Sequence, residues 1–208
     1  MKNGVPLKTI FLDRDGVINA KIDGGYVTSW EEFQFLPGAL SALRRLAEAN
    51  WRVVVVTNQS AVGRGLITES DLAALHDRMC ARIGAAGGRI DRIYYCPHRP
   101  DEDCACRKPR PGLILRAARD LVIDLTKAWL VGDHWSDLAA AHAAGCRPLL
   151  VLTGHGRRTL AEGVPDGVQA PPDAADLVGA ADYILALAEP DISSRIRPLL
   201  PPARRRER

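Results

Sequence analysis

Four consecutive valines occupy positions 53–56, inside "RVVVVTN" (52–58). An unbroken β-branched run leaves neither alternating face for water, so it reads as a strand buried inside a sheet. Comparable apolar runs recur at "LKTIFLD" (7–13), "RIYYC" (92–96), "AWLVGD" (128–133) and "PLLVLTG" (148–154). Amphipathic stretches lie between them. "GALSALRRLAEAN" (38–50) spaces Leu40, Leu43 and Leu46 by three residues, and "TESDLAALHDRMCARIGAAGG" (68–88) opens at a candidate N-cap, Thr68. "PGLILRAARDL" (111–121) opens on Pro and "SDLAAAHAAG" (136–145) closes on Gly, both common helix boundaries. Strand and helix alternating over short connections predict an α/β, Rossmann-like domain, with a parallel sheet covered by helices on both faces.

Length and composition fit that reading: 208 residues, 47% hydrophobic and 25% charged, suit one soluble core, expected over residues 1–190. The net charge of +3 is unevenly placed, because residues 191–208 hold six arginines against Asp191 and Glu207, or +4, leaving about −1 for the remainder. A nearly neutral folded part predicts no nucleic-acid surface. The Pro- and Arg-rich end is read either as a solvated, disordered tail or as a loose attachment to an anionic surface. No apolar run approaches the roughly 20 residues of a membrane span, and the first residues lack a secretory apolar segment, so a cytoplasmic protein is expected. With no exposed apolar stripe in the pattern, a monomer is expected.

Parallel sheets of this kind bind ligands at the carboxyl ends of their strands. Here those ends carry Asp13 and Asp15, then Thr57, Asn58, Gln59 and Ser60, then Gly132 and Asp133. Asp13 and Asp15, two apart, point to the same side if strand geometry persists, and a divalent cation is the usual remedy for two adjacent carboxylates. The alternative is that they cap a turn before Gly16.

Taken in order, the apolar-apolar-D-R-D-G at 11–16, the strand ending in T-N-Q-S, the R-K-P at 107–109 and the G-D-x-x-x-D at 132–137 resemble the haloacid-dehalogenase (HAD) superfamily of phosphatases, over roughly residues 7 to 154. The resemblance implies that Asp13 attacks phosphorus to form an aspartyl-phosphate and that Asp15 is general acid, then general base. It implies that Thr57 and Lys108 stabilise the phosphoryl oxygens, and that Asp13, Asp133 and the backbone carbonyl of Asp15 hold Mg²⁺ under a minimal cap. Asp137 either holds a metal-bound water or favours the positive first turn of its helix.

Three of the five cysteines fall in Cys96-x-His98-x5-Cys104-x-Cys106. This is the Cys₃His set of a closed tetrahedral zinc site, which leaves no position for a reacting water. Its reading is therefore structural, against the alternative of free thiols in a surface loop. Because Arg107, Lys108 and Pro109 follow directly, an ordered loop would aim two cations at the phosphate. Cys80 and Cys146 read as inert small hydrophobes. The C-P-H and C-x-C-R-K-P of this loop narrow the resemblance to the branch that holds heptose bisphosphate and histidinol-phosphate phosphatases. "DGGYV" (23–27), "TNQSAVGRG" (57–65) and "IYYCPH" (93–98) are more similar to the heptose enzymes.

That resemblance implies removal of the 7-phosphate of D-glycero-D-manno-heptose 1,7-bisphosphate, giving heptose 1-phosphate for nucleotide-activated heptose synthesis. Candidate substrate contacts are Arg14, Asp23, Gly24, Gly25, Tyr26, Asn58, Gln59, Ser60, Arg64, Arg107 and His134. Histidinol phosphate is the alternative substrate. A catalytically idle, zinc-stabilised domain binding a sugar phosphate or a protein is the alternative of another class.

Overall fold

The computed structural model describes residues 8–163 and 171–188. Six strands form one sheet: β1 (Thr9–Leu12), β2 (Arg52–Asn58), β3 (Arg92–Cys96), β4 (Trp129–Gly132), β5 (Arg147–Val151) and β6 (Asp173–Ala174). Their order is β3-β2-β1-β4-β5-β6, with every neighbouring pair parallel. The six longer helices are α1 (Ala39–Glu48), α2 (Glu69–Ala85), α3 (Gly112–Leu121), α4 (Trp135–Ala144), α5 (Gly156–Glu162) and α6 (Leu177–Ala188).

The valine run shows why the sheet is covered twice. Val53 and Val55 join one core with residues of α1, α2 and α6, while Val54 and Val56 join the other with residues of α3 and α4. All four are fully buried, each contributing on the order of 1.5–3 kcal/mol of burial. Thr68 caps α2 as expected, its Oγ accepting from the Asp71 N–H at 3.0 Å. Gly145 ends α4 in the left-handed conformation, φ 77°.

One expected boundary shifts, and three elements are added to those expected. Strand β1 stops at Leu12, because the Arg14 carbonyl gathers the N–H groups of Val17, Ile18 and Asn19 into a tight turn that Gly16 completes at φ 89°. Beyond residue 154 the chain adds α5, β6 and α6, the last burying Leu177, Ala180, Ala181 and Ile184 as one stripe.

Strand β1 lies mid-sheet between β2 and β4, the point where the strand order reverses. The loops after β1 and β4 leave the same edge there and open the crevice in which such sheets bind ligands. Among the described residues there is no separate cap domain: the segment from Asp15 folds back through bridges of Asn19 with Asp15 and with Phe35. No described helix is long and apolar enough to cross a membrane. The Arg-rich segment 191–208 lies outside the described residues.

Candidate active site

At the carboxyl ends of β1, β2 and β4 lies a cleft of about 600 Å³, lined by residues that include Asp13, Asp15, Thr57, Lys108 and Asp133. Asp13 leaves the sheet with its N–H still bonded to the Val131 carbonyl at 3.0 Å, which ties the loop after β1 to β4. Asp13, Asp133 and Asp137 each bring a carboxylate oxygen within 4.8 Å of the others. Lys108, only 3% exposed, sits among them. Its Nζ lies 3.0 Å from Asp13 and 2.6 Å from Asp137 and donates to the Val56 carbonyl at 2.9 Å.

Burial alone would neutralise this lysine, but the two carboxylates outweigh it and hold its pKa above the ordinary value. One cation among three acids is still too few. Burial and the charges of Asp137 and Asp13 push Asp133 up to about 8. Burial, offset by Lys108 and reinforced by Asp137 and Asp15, pushes Asp13 up to about 6. Oxygen ligands this crowded suit a hard divalent cation, which would return both groups to the ionised form. The glycines round Asp133 leave it just enough room: a Cβ on Gly16 or Gly154 would overlap its carboxylate.

Asp15 has a different environment. Arg14 donates to it from Nη2 at 2.9 Å to both oxygens and from Nε at 3.3 Å, Asn19 Nδ2 donates at 2.8 Å and Gln59 Nε2 at 2.8 Å. Burial would raise its pKa, but Arg14 and these hydrogen bonds prevail and hold the carboxyl below the ordinary range. Gln59 Nε2 also donates to Thr57 Oγ at 2.9 Å, which turns the threonine O–H outward as a donor.

Several expected substrate contacts have other partners. Arg14 is fully buried against Asp15 and His76, so its side chain holds the carboxylate rather than facing the cleft. Asn58 lines the cleft, yet its amide spends both ends on the Lys108 backbone, donating to the carbonyl and accepting from the N–H at 3.1 Å each. Asp23, exposed, pairs with Lys21 at 2.6 Å, and Ser60 is buried. None of Arg14, Asp23, Gly24, Ser60 and Arg64 is among the lining residues; Arg64 stacks over Tyr26 at 5.8 Å. Gly25, Tyr26, Gln59, Arg107 and His134 do line the cleft, joined by Lys21, Arg110, Trp135 and His155, which spacing did not single out.

Of its two expected roles, Asp137 shows the one at the first turn of α4, and it adds a pairing with Lys108. Its Oδ2 accepts the His134 N–H at 3.1 Å, capping α4, while Oδ1 anchors Lys108.

Beside the cleft, the Sγ atoms of Cys96, Cys104 and Cys106 and Nδ1 of His98 approach within 3.2–3.5 Å along five of their contacts. The loop's carbonyls accept from the two neighbouring arginines: His98 from Arg107 at 3.3 Å, Asp103 and Cys104 from Arg110 at 2.6 and 2.9 Å.

The HAD-hydrolase-like family model matches residues 105–183. A D-glycero-β-D-manno-heptose-1,7-bisphosphate 7-phosphatase of Bordetella bronchiseptica is 47% identical over 180 residues, spanning 86% of this chain and 98% of that protein. This chain belongs to the heptose bisphosphate phosphatase family of the HAD superfamily. A member from Pseudomonas putida is 46% identical over 160 residues, covering 77% of this chain and 91% of its own length. Among solved members, the D,D-heptose 1,7-bisphosphate phosphatase of B. bronchiseptica, crystallised with magnesium and phosphate, matches at TM-score 0.82 and 46% identity over 87% of this chain and 99% of that one. The Burkholderia thailandensis member matches at TM-score 0.67 and 40% identity, over 86% and 99%.

Proposed function

We propose that this chain is a Mg²⁺-dependent phosphatase that removes the 7-phosphate of D-glycero-β-D-manno-heptose 1,7-bisphosphate through a phosphoenzyme on Asp13. The observation that carries this is the pair of neighbouring carboxylates in unlike surroundings. Asp13 lies beside a lysine and two further acids that suit a cation, and Asp15 is held separately by five hydrogen bonds from uncharged amides and one guanidinium. The β anomer and the 7-position are taken from the names of the relatives.

Asp13 attacks phosphorus, and the sugar oxygen leaves in line. Asp15 gives that oxygen a proton, which it takes up as the incoming phosphate raises its proton affinity, and then receives one from the water that cleaves the acyl phosphate. Lys108 and the Thr57 hydroxyl steady the equatorial oxygens in both steps. Asp13, Asp133 and the Asp15 carbonyl would hold Mg²⁺, whose charge lets the carboxylate and the phosphate approach. The cationic rim of Lys21, Arg107 and Arg110 suits a substrate with a second phosphate. The Cys₃His cluster would hold a structural zinc.

Phosphate release measured in Mg²⁺ from both anomers of the heptose bisphosphate and from histidinol phosphate tests the substrate. The β anomer is expected to lead in kcat/KM by about tenfold or more. A preference for histidinol phosphate would overturn the substrate and leave the phosphoenzyme chemistry standing.

Gly154→Ala tests the cation site. Its Cβ would strike the Asp133 carboxylate from a backbone at φ 53°, so the Mg²⁺ concentration for half-maximal activity should rise about tenfold or more. An unchanged Mg²⁺ dependence would remove Asp133 from the ligand set.

A further inference from the structure

Behind Asp15 the molecule carries a buried contact that the proposed chemistry does not yet use. His76, on α2, is 6% exposed, and its Nε2 lies 3.1 Å from Arg14 Nη1. Arg14 is fully buried and offers only donors, so Nε2 is the acceptor and the ring is neutral with its proton on Nδ1. Burial and the Arg14 charge agree, bringing His76 down to about 3.

The guanidinium is a rigid planar fork. Anchoring Nη1 at one corner therefore fixes where the opposite edge, Nε and Nη2, points, and that edge grips the Asp15 carboxylate. Asn19 and Gln59 meet the same carboxylate from the other sides. Removing the acceptor at position 76 would leave a buried N–H of Arg14 unpaired, and the fork would turn to find another.

We propose that His76 is a positioning residue, which through Arg14 sets the orientation of the Asp15 carboxyl toward the leaving oxygen. The inference rests on the acid–base reading of Asp15 above. A histidine that merely filled space between α2 and the sheet would affect all substrates alike. A residue that orients an acid matters only where the leaving group needs a proton.

The decisive comparison is kcat/KM, which covers steps up to leaving-group departure, for the heptose bisphosphate and for p-nitrophenyl phosphate. The first expels an alkoxide that must be protonated; the second expels a stable phenolate. His76→Phe keeps an aromatic ring beside Tyr95, whose ring centroid lies 6.1 Å away, and deletes the acceptor. It is expected to lower kcat/KM for the sugar ester about 10- to 100-fold and for the aryl ester by less than about threefold. His76→Gln, which restores an acceptor, should hold both within about threefold of the parent. Should His76→Phe fail to fold, His76→Met carries the same comparison.

Equal losses on both esters, or no loss on either, overturn the inference and leave the role of Asp15 untouched. Asp15→Asn, measured alongside, should show the same ester selectivity with a larger loss. Equal losses there would instead remove the acid–base reading itself.

Discussion

Asp13→Asn is expected to abolish phosphate release, lowering kcat by at least about 10⁴-fold with the fold intact. The amide keeps the shape of the carboxylate but cannot attack phosphorus. Lys108 keeps its 2.6 Å pair with Asp137 and its bond to Val56, so the buried charge is not orphaned. The metal-free variant should also respond differently to pH. Burial, partly offset by Lys108, raises the Asp13 pKa to about 6 from an ordinary value of 3.8. A folded-state pKa above the unfolded one means a stabilising proton below about pH 4, lost progressively as pH rises to about 6. That part of the pH dependence of Tm should disappear in the variant. Phosphate release surviving within about tenfold of the parent would remove Asp13 as nucleophile.

Those parts of the site that sit on strand ends were legible in the sequence, because apolar runs mark where strands stop and parallel pairing puts every stop on one edge. Asp13, Thr57 and Asp133 come together for that reason. The clustering of Cys96, His98, Cys104 and Cys106 was legible because their spacing is local. Arg14 was not: its direction depends on β1 ending at Leu12 and the chain turning at Gly16, a geometry that strand alternation misjudges. Asn58 does line the cleft, but spacing does not reveal that the return of the chain 50 residues later places the Lys108 backbone against its amide.

His76 and Arg14 meet across 62 residues, and nothing in the spacing of α2 distinguishes a buried histidine with a task from one that packs. At the far end, β6 has two residues, too few for alternation. Helix α6 buries two alanines in a four-residue stripe, a weak contrast against its apolar surroundings.

The zinc-type loop predicts the second large effect. A metal about 2.3 Å from each sulfur sets tetrahedral edges of about 3.7 Å, close to the 3.2–3.5 Å at which these atoms already lie. The purified protein is therefore expected to carry about one zinc per chain, and Cys106→Ser to lose it. The parent lacking zinc with its fold and activity intact would overturn the structural-zinc proposal.

What the loop holds determines how activity fails. Arg107 and Arg110 bond to carbonyls of His98, Asp103 and Cys104, and α3 begins so close that a Cβ on Gly112 would overlap Ala105. Without the metal those carbonyls lose their fixed positions and both arginines lose their aim. A charge-assisted contact to a phosphate is worth roughly 1.5–3 kcal/mol, so losing the equivalent of one should raise KM about 10- to 100-fold. Lys108 has anchors outside the loop, in Asp13, Asp137, Val56 and Asn58. Because Lys108, proposed to steady the reacting phosphoryl group, is held from outside the zinc-type loop and the rim arginines from within it, kcat should fall much less than KM rises. A loss confined to kcat would mean that the loop serves the chemistry and not substrate capture.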